Sequence, residues 1–187
     1  MIENAIRLNG EAGKKAVINS SQTINVLHEV VKSDLINKGV NPNLIKPVLG
    51  SSSLEVQLAG FLKFKTQDVC VFPNHLQPIQ ESINFNGLHT GKTDPYGELF
   101  SEHILTINLR SQLSSLAKNK DTMYERTYAE PLNLHRRLPK MVLGEVYLLS
   151  ARELDSNQVK LKKVVYKPVS PRTAKALEEY FWLCSIK

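Results

Sequence analysis

The segment HILTINLRSQ alternates apolar and polar side chains, so Leu105, Ile107 and Leu109 share one face of a strand and Thr106, Asn108 and Arg110 the other. An amide and a guanidinium two positions apart can meet one ligand: the amide offers a neutral carbonyl oxygen, and the guanidinium a permanent charge able to grip a phosphate oxygen. The residues that follow, Ser111, Gln112, Ser114, Ser115, Lys118, Asn119 and Lys120, carry the hydroxyls, amides and ammonium groups that hold phosphate oxygens and base edges. His135, Arg136, Arg137 and Lys140 form a second basic cluster, and Lys160, Lys162, Lys163 and Lys167 a third. Such clusters either line a groove or are scattered solubility charges, because sequence does not fix their mutual positions.

The carboxylates divide between chemistry and local structure. Asp94 opens the turn word Asp94-Pro95-Tyr96-Gly97 and is a turn residue on that pattern alone. Glu55 stands three residues after Ser52, as in a capping box, with metal ligation as the alternative. Glu125 and Glu130 lie on a helical segment, as solvated charges or as groups turned towards a site. Glu145, inside an apolar run, is either a ligand at a strand end or a paired buried carboxylate. Lys63 and Lys65 alternate on one strand face, flanking phosphates or protecting an edge. His28, His75, His89, His103 and His135 lack the paired spacing of a zinc site and read as isolated histidines. Serine-nucleophile elbows, P-loops and dinucleotide fingerprints are absent.

These residues need a scaffold. The chain has 187 residues, is 42% apolar and 22% charged, and carries a formal net charge of +6, as suits one globular domain compatible with a polyanion. Its two cysteines, Cys70 and Cys184, match no metal spacing and read as reduced thiols of a cytoplasmic protein. Neither a membrane span nor a secretory leader is expected.

Val17, Ile24, Leu27, Val31 and Leu35 predict one long amphipathic helix over 14–38, stopped at Gly39. Its surface is a candidate for dimerisation or for packing on the chain's own sheet. NPNLIKPVLG reads as a loop, LEVQLAG as a short helix behind the capping box, FLKFKTQDVCVF as a strand and residues 74–101 as loop. After the HILTINLRSQ strand, Leu113 to Leu132 predict a helix with Asp121 as a cap and a kink or stop at Pro131. MVLGEVYLL reads as a strand covered on both faces, KLKKVVYKP as one more strand, and PRTAKALEEYFWLCSI as a closing helix with Pro171 near its start. The fold class is α/β (α+β), a small mixed sheet flanked by helices. It forms a single domain over 1–187: a helical part at about 1–50, a core at about 51–150 and a closing strand and helix at about 151–187.

The words TDPYGELF, INLRSQLSSLAKNKDTMYERTYAEPLNLH and LPKMVLGEVYLL resemble type II restriction endonucleases of the PD-(D/E)XK nuclease superfamily, and SLEVQLAGFLKFKTQDVCVF stands where that fold has its first helix and strand. The resemblance implies a restriction-endonuclease-like core whose Asp94 is a metal ligand, with Asn108-Leu109-Arg110 at the (D/E)-x-K position. Both polar residues depart from the pattern. Asn108 binds Mg²⁺ less strongly than a carboxylate, and Arg110 cannot act as a base.

Two readings follow. In the first, a carboxylate has migrated to the following helix, and Asp94, Asn108 and Glu125 hold Mg²⁺ (or Mn²⁺) while Arg110 grips the phosphate. Ser111, Gln112, Ser114, Lys118, Lys120, Arg136 and Arg137 then contact double-stranded DNA, and a homodimer cuts both strands. In the second, the chain is a catalytically inactive nuclease-like DNA-binding or regulatory subunit.

Overall fold

A computed structural model describes residues 1–51, 55–113 and 116–185. Helices and short strands mix in α+β fashion, as expected. The predicted helix over 14–38 is two helices, α1 (Ile2–Asn19) and α2 (Gln22–Asn37). Ser20 separates them with extended backbone, its hydroxyl and amide both bonding the Val17 carbonyl, at 2.8 and 3.3 Å. Gly39, at φ 95°, ends α2 as predicted: its amide donates to Ile36 and that of Val40 to Leu35, the paired bonds of a left-handed helix stop.

The segment expected as a loop holds β1 (Ile45–Lys46). Where a short helix was expected, the chain forms β2 (Val56–Ala59); residues 52–54 of the predicted capping box lie outside the described residues. Val56 and Leu58 are buried and Gln57 is exposed, the period of a strand. β3 (Phe64–Gln67) pairs with it antiparallel as a hairpin, so partners close in sequence satisfy the backbone. The next strand, β4 (Val69–Val71), begins after Asp68 and joins another sheet, so the single strand predicted in FLKFKTQDVCVF is divided there.

The loop predicted over 74–101 contains the two-residue strands β5 (Glu81–Ser82) and β6 (Thr93–Asp94), paired antiparallel, and α3 (Glu98–Ser101). β7 (Leu105–Gln112) is the strand read from alternation. Its polar face is not a wet one, because Thr106 and Asn108 are both buried.

α4 (Leu116–His135) runs through Pro131 instead of stopping, and Asp121 lies inside it rather than capping it. An interior proline costs about 3 kcal/mol. The turn beyond it makes offsetting contacts, since Leu134 is buried and Asn133 clamps the β2–β3 turn. The Asn133 Oδ1 accepts from the amides of Leu62 (2.8 Å) and Lys63 (3.1 Å), and its Nδ2 donates to the Lys63 carbonyl (3.1 Å). Gly60 is required beside it, because a Cβ there would lie 2.2 Å from the Asn133 Nδ2.

β8 (Val142–Leu149) follows as predicted, but most of its length is half-buried rather than covered on both faces. The strand predicted in KLKKVVYKP shrinks to β10 (Tyr166–Lys167), which pairs with β9 (Glu153–Leu154). Lys160 instead ends α5 (Ser156–Lys160), which is capped by Asp155. α6 (Pro171–Ser185) starts at Pro171 as expected.

The main sheet has the order β1-β4-β7-β8, antiparallel between β1 and β4 and between β4 and β7, with α4 connecting β7 to β8. The chain forms two compact units interleaved in sequence. One comprises 1–27, 110–124 and 147–187, and its core is Leu116, Ala176, Tyr180 and Leu183, the last three from the buried face of α6. The other comprises 28–109 and 125–146, with Val56, Leu58, Cys70, Phe100, Ile104, Leu134, Leu138 and Met141 packed together. Among the described residues no helix is long and apolar enough to cross a membrane.

Candidate functional site

Within the unit formed by 28–109 and 125–146, β4 and β7 carry polar groups on one face. Register pairs Cys70 with Thr106, and alternation puts Asp68 on the Cys70 side and Asn108 on the Thr106 side. Asp68 is fixed there by the neighbouring strand: its Oδ2 accepts from the Leu109 amide at 2.6 Å. His28 reaches the same place from α2, and Glu55 from the residue ahead of β2. Ligand atoms of His28, Glu55 and Asp68 all lie within 4.8 Å of one another.

Among the described residues, no hydrogen bond or ion pair joins these groups directly. Lys32, only 2% exposed, is nearby, but its Nζ sits 2.7 Å from Glu29. Although much of Glu55 is exposed, partial withdrawal from water pushes its carboxyl above the usual range, and the Asp68 carboxylate adds to this against His28 and Lys32. Burial, then Asp68 and Glu55, push the Cys70 thiol up, so it is a core group and not a thiolate. On the same face the Thr106 hydroxyl is buried without a partner. Asn108, 7% exposed, makes no side-chain hydrogen bond among the described residues.

One imidazole nitrogen and two carboxylates are a donor set for a single divalent cation, whose charge the two carboxylates balance. Metal–oxygen bonds of about 2.1 Å put ligand atoms on opposite sides of an ion about 4.2 Å apart, so small side-chain rotations would close this set around one. An ion held there would supply Lewis-acid chemistry to a bound oxygen ligand.

The residues picked out from the sequence are placed differently. Asp94 is fully buried, with Oδ2 2.7 Å from the Arg137 Nη2 and Oδ1 accepting from the Tyr96 amide at 3.0 Å. It is both turn residue and ion-pair partner. Arg137, assigned to DNA, has a side chain 1% exposed that also donates to the Ala59 carbonyl at 3.0 Å.

Glu125 is exposed on α4, and neither it nor Asp94 belongs to a converging group of three His, Cys, Asp or Glu among the described residues. Glu130 pairs with Lys65 at 2.6 Å, and Glu145, read either as a strand-end ligand or as a paired buried carboxylate, is half-buried and accepts from the Thr127 hydroxyl at 3.0 Å. Arg136 is exposed, its guanidinium 5.7 Å from the centre of the Phe61 ring.

Arg110, Ser111, Gln112 and Lys120 belong to the other compact unit. There Arg110 and Ser111 are half-buried, Gln112 is buried, and Lys120 is paired with Glu179 at 2.7 Å. Ser114 and the side chain of Lys118 lie outside the described residues.

Of the site residues now brought together, only Asn108 was a sequence candidate for the metal. Glu55 had metal ligation only as its alternative, His28 read as isolated, and Asp68 was not singled out. Comparison of the chain with protein-family models, with curated proteins and with solved structures gives no match.

Proposed function

We propose that this chain is a metal-dependent, restriction-type DNA endonuclease. In this reading His28, Glu55 and Asp68 hold a divalent cation, Mg²⁺ or Mn²⁺, and Asn108 stands beside it. The observation that carries the reading is the convergence of those three side chains next to buried, unbonded polar groups on the β4–β7 face. The cation supplies charge stabilisation at a phosphoryl oxygen and a nucleophilic water. Asp68, anchored by the Leu109 amide, would hold the ion, and Asn108 on the same face would add a neutral oxygen.

Asp94 and Glu125 are not assigned to the metal here. Arg110, in the other compact unit, is proposed as a contact to the DNA backbone independent of the metal site, and a cytoplasmic homodimer on double-stranded DNA is the form proposed to cut both strands. Plasmid nicking with Mg²⁺ and Mn²⁺ tests the reading: the wild type cuts, Asp68→Asn does not, and Asp94→Asn, assayed where it remains folded, still cuts. No cleavage of any duplex with either ion overturns it.

A non-cutting DNA-binding subunit is the second reading. It is favoured by Lys32, a buried lysine beside the cluster whose Nζ is engaged by Glu29 at 2.7 Å. It predicts DNA affinity without a metal requirement, falling steeply with salt. Arg110→Ala then flattens that salt dependence by about one phosphate contact.

A further inference from the structure

Resting on the proposed metal centre, we infer that its ion is one that accepts an imidazole nitrogen, Mn²⁺ or a later first-row divalent ion, in preference to Mg²⁺. The donor set sets the preference. Mg²⁺ is hard, takes oxygen ligands at close to ideal octahedral geometry and gives up its waters reluctantly, whereas Mn²⁺ and the ions after it accept nitrogen more readily. Here one of the three converging groups is an imidazole, and the other two are carboxylates.

The remaining neighbours do not tilt the site back. Thr106 and Asn108 add only neutral oxygens, and neither Glu55 nor Asp68 has an ion-pair partner among the described residues. Three polar groups held within 4.8 Å yet not bonded to one another leave the space between them for a shared ligand. His28 sits on a helix and Asp68 is clamped by the Leu109 amide, so two of the three come from fixed backbone. A nitrogen on a fixed element is a selective ligand, because it cannot be exchanged for oxygen by a loop shift.

The test uses the whole chain with Mn²⁺ or Mg²⁺ alone, and no DNA. Electron paramagnetic resonance counts free Mn²⁺, electron spin echo modulation detects a coordinated nitrogen, and calorimetry gives Kd for each ion. The expected result is one Mn²⁺ per chain, bound roughly tenfold or more tighter than Mg²⁺, with nitrogen modulation. His28→Ala and His28→Gln should abolish the modulation and weaken Mn²⁺ by a similar factor, and His28→Asp should shift preference towards Mg²⁺. Thermal melts of all three variants establish that they fold.

Mn²⁺ binding that needs Asp68 but shows no nitrogen modulation, or equal affinity for both ions, overturns this inference and leaves the metal centre standing. No stoichiometric binding of either ion, or binding unchanged in Asp68→Asn, overturns the metal centre and the inference with it.

Discussion

Asp94→Asn separates a structural carboxylate from a metal ligand. The substitution keeps the shape and removes the charge. It leaves the Arg137 guanidinium buried with the Ala59 carbonyl at 3.0 Å and Glu81 at 3.5 Å, the latter 43% exposed and therefore a weak replacement. Breaking one side of a buried pair costs about 3–5 kcal/mol, and the residual Glu81 contact argues for the lower end. At roughly 2–4 °C per kcal/mol for a chain of this size, about 3 kcal/mol lowers the melting temperature by about 6–12 °C.

Urea and thermal unfolding followed by circular dichroism measure that loss, and Mn²⁺ uptake by the variant below its melt should match wild type. The double variant Asp94→Leu with Arg137→Met should recover most of the stability, since apolar replacements of a buried pair are often neutral or better. An unchanged melt together with lost Mn²⁺ uptake would refute the ion-pair reasoning and return Asp94 to the metal.

Cys70 is buried with its thiol pushed up, and Cys184 is exposed, so iodoacetamide should label Cys184 alone in the native chain and both thiols after unfolding. Asn133→Ala removes the acceptor of the Leu62 and Lys63 amides and the donor to the Lys63 carbonyl; a loss of about 2–3 kcal/mol is expected, with faster hydrogen exchange at those two amides. The amides of Gln158 and then Asn157 hold the Asp155 carboxyl below the usual carboxylate range, so its contribution is complete above that range and is lost as pH falls through the lowered pKa. Asp155→Asn should therefore flatten the acid limb of a stability–pH curve, and an unchanged limb would count against the cap.

The parts of the fold legible in the sequence are those decided by neighbours close along the chain. Gly39 ends α2 because the stop needs a left-handed residue at that place, and α6 is amphipathic from Thr173 to Leu183. β7 was legible from alternation, but its polar face was misjudged, because burial of Thr106 and Asn108 depends on what packs over the strand. The Ser20 break was hidden because Val17 and Ile24 keep a seven-residue helical spacing across the polar residues Asn19 to Thr23. β2 was hidden because a capping-box word and four residues of strand look alike until the β3 partner is known. Of the two outcomes expected at Pro131, a kink or a stop, the stop does not occur, because Asn133 beyond it is held by contacts far away in sequence.

The candidate site shows the same division more sharply. Asn108 and Arg110 could be picked out because alternation along one strand is a local property. His28, Glu55 and Asp68 come from a helix, a strand approach and a junction between sheets, and only the pairing of β4 with β7 and the placing of α2 bring them together. Asp94 looked better than Asp68 because it stands in a recognisable turn word, whereas Asp68 stands between two strands that read as one. The useful local signal was the word Asp68-Val69-Cys70-Val71, a carboxylate leading a short apolar strand whose backbone neighbour carries Asn108. A strand that must hydrogen-bond on both sides leaves its leading residue at a seam, and a side chain there is tied to the next strand's amide. The Leu109 amide does this for Asp68. If that tie positions the carboxylate for a metal, Asp68→Glu, which keeps the charge but lengthens the reach, should lose Mn²⁺ affinity almost as fully as Asp68→Asn. Retained affinity in the Glu variant would mean that charge alone suffices, and that the β4–β7 seam is not what positions the site.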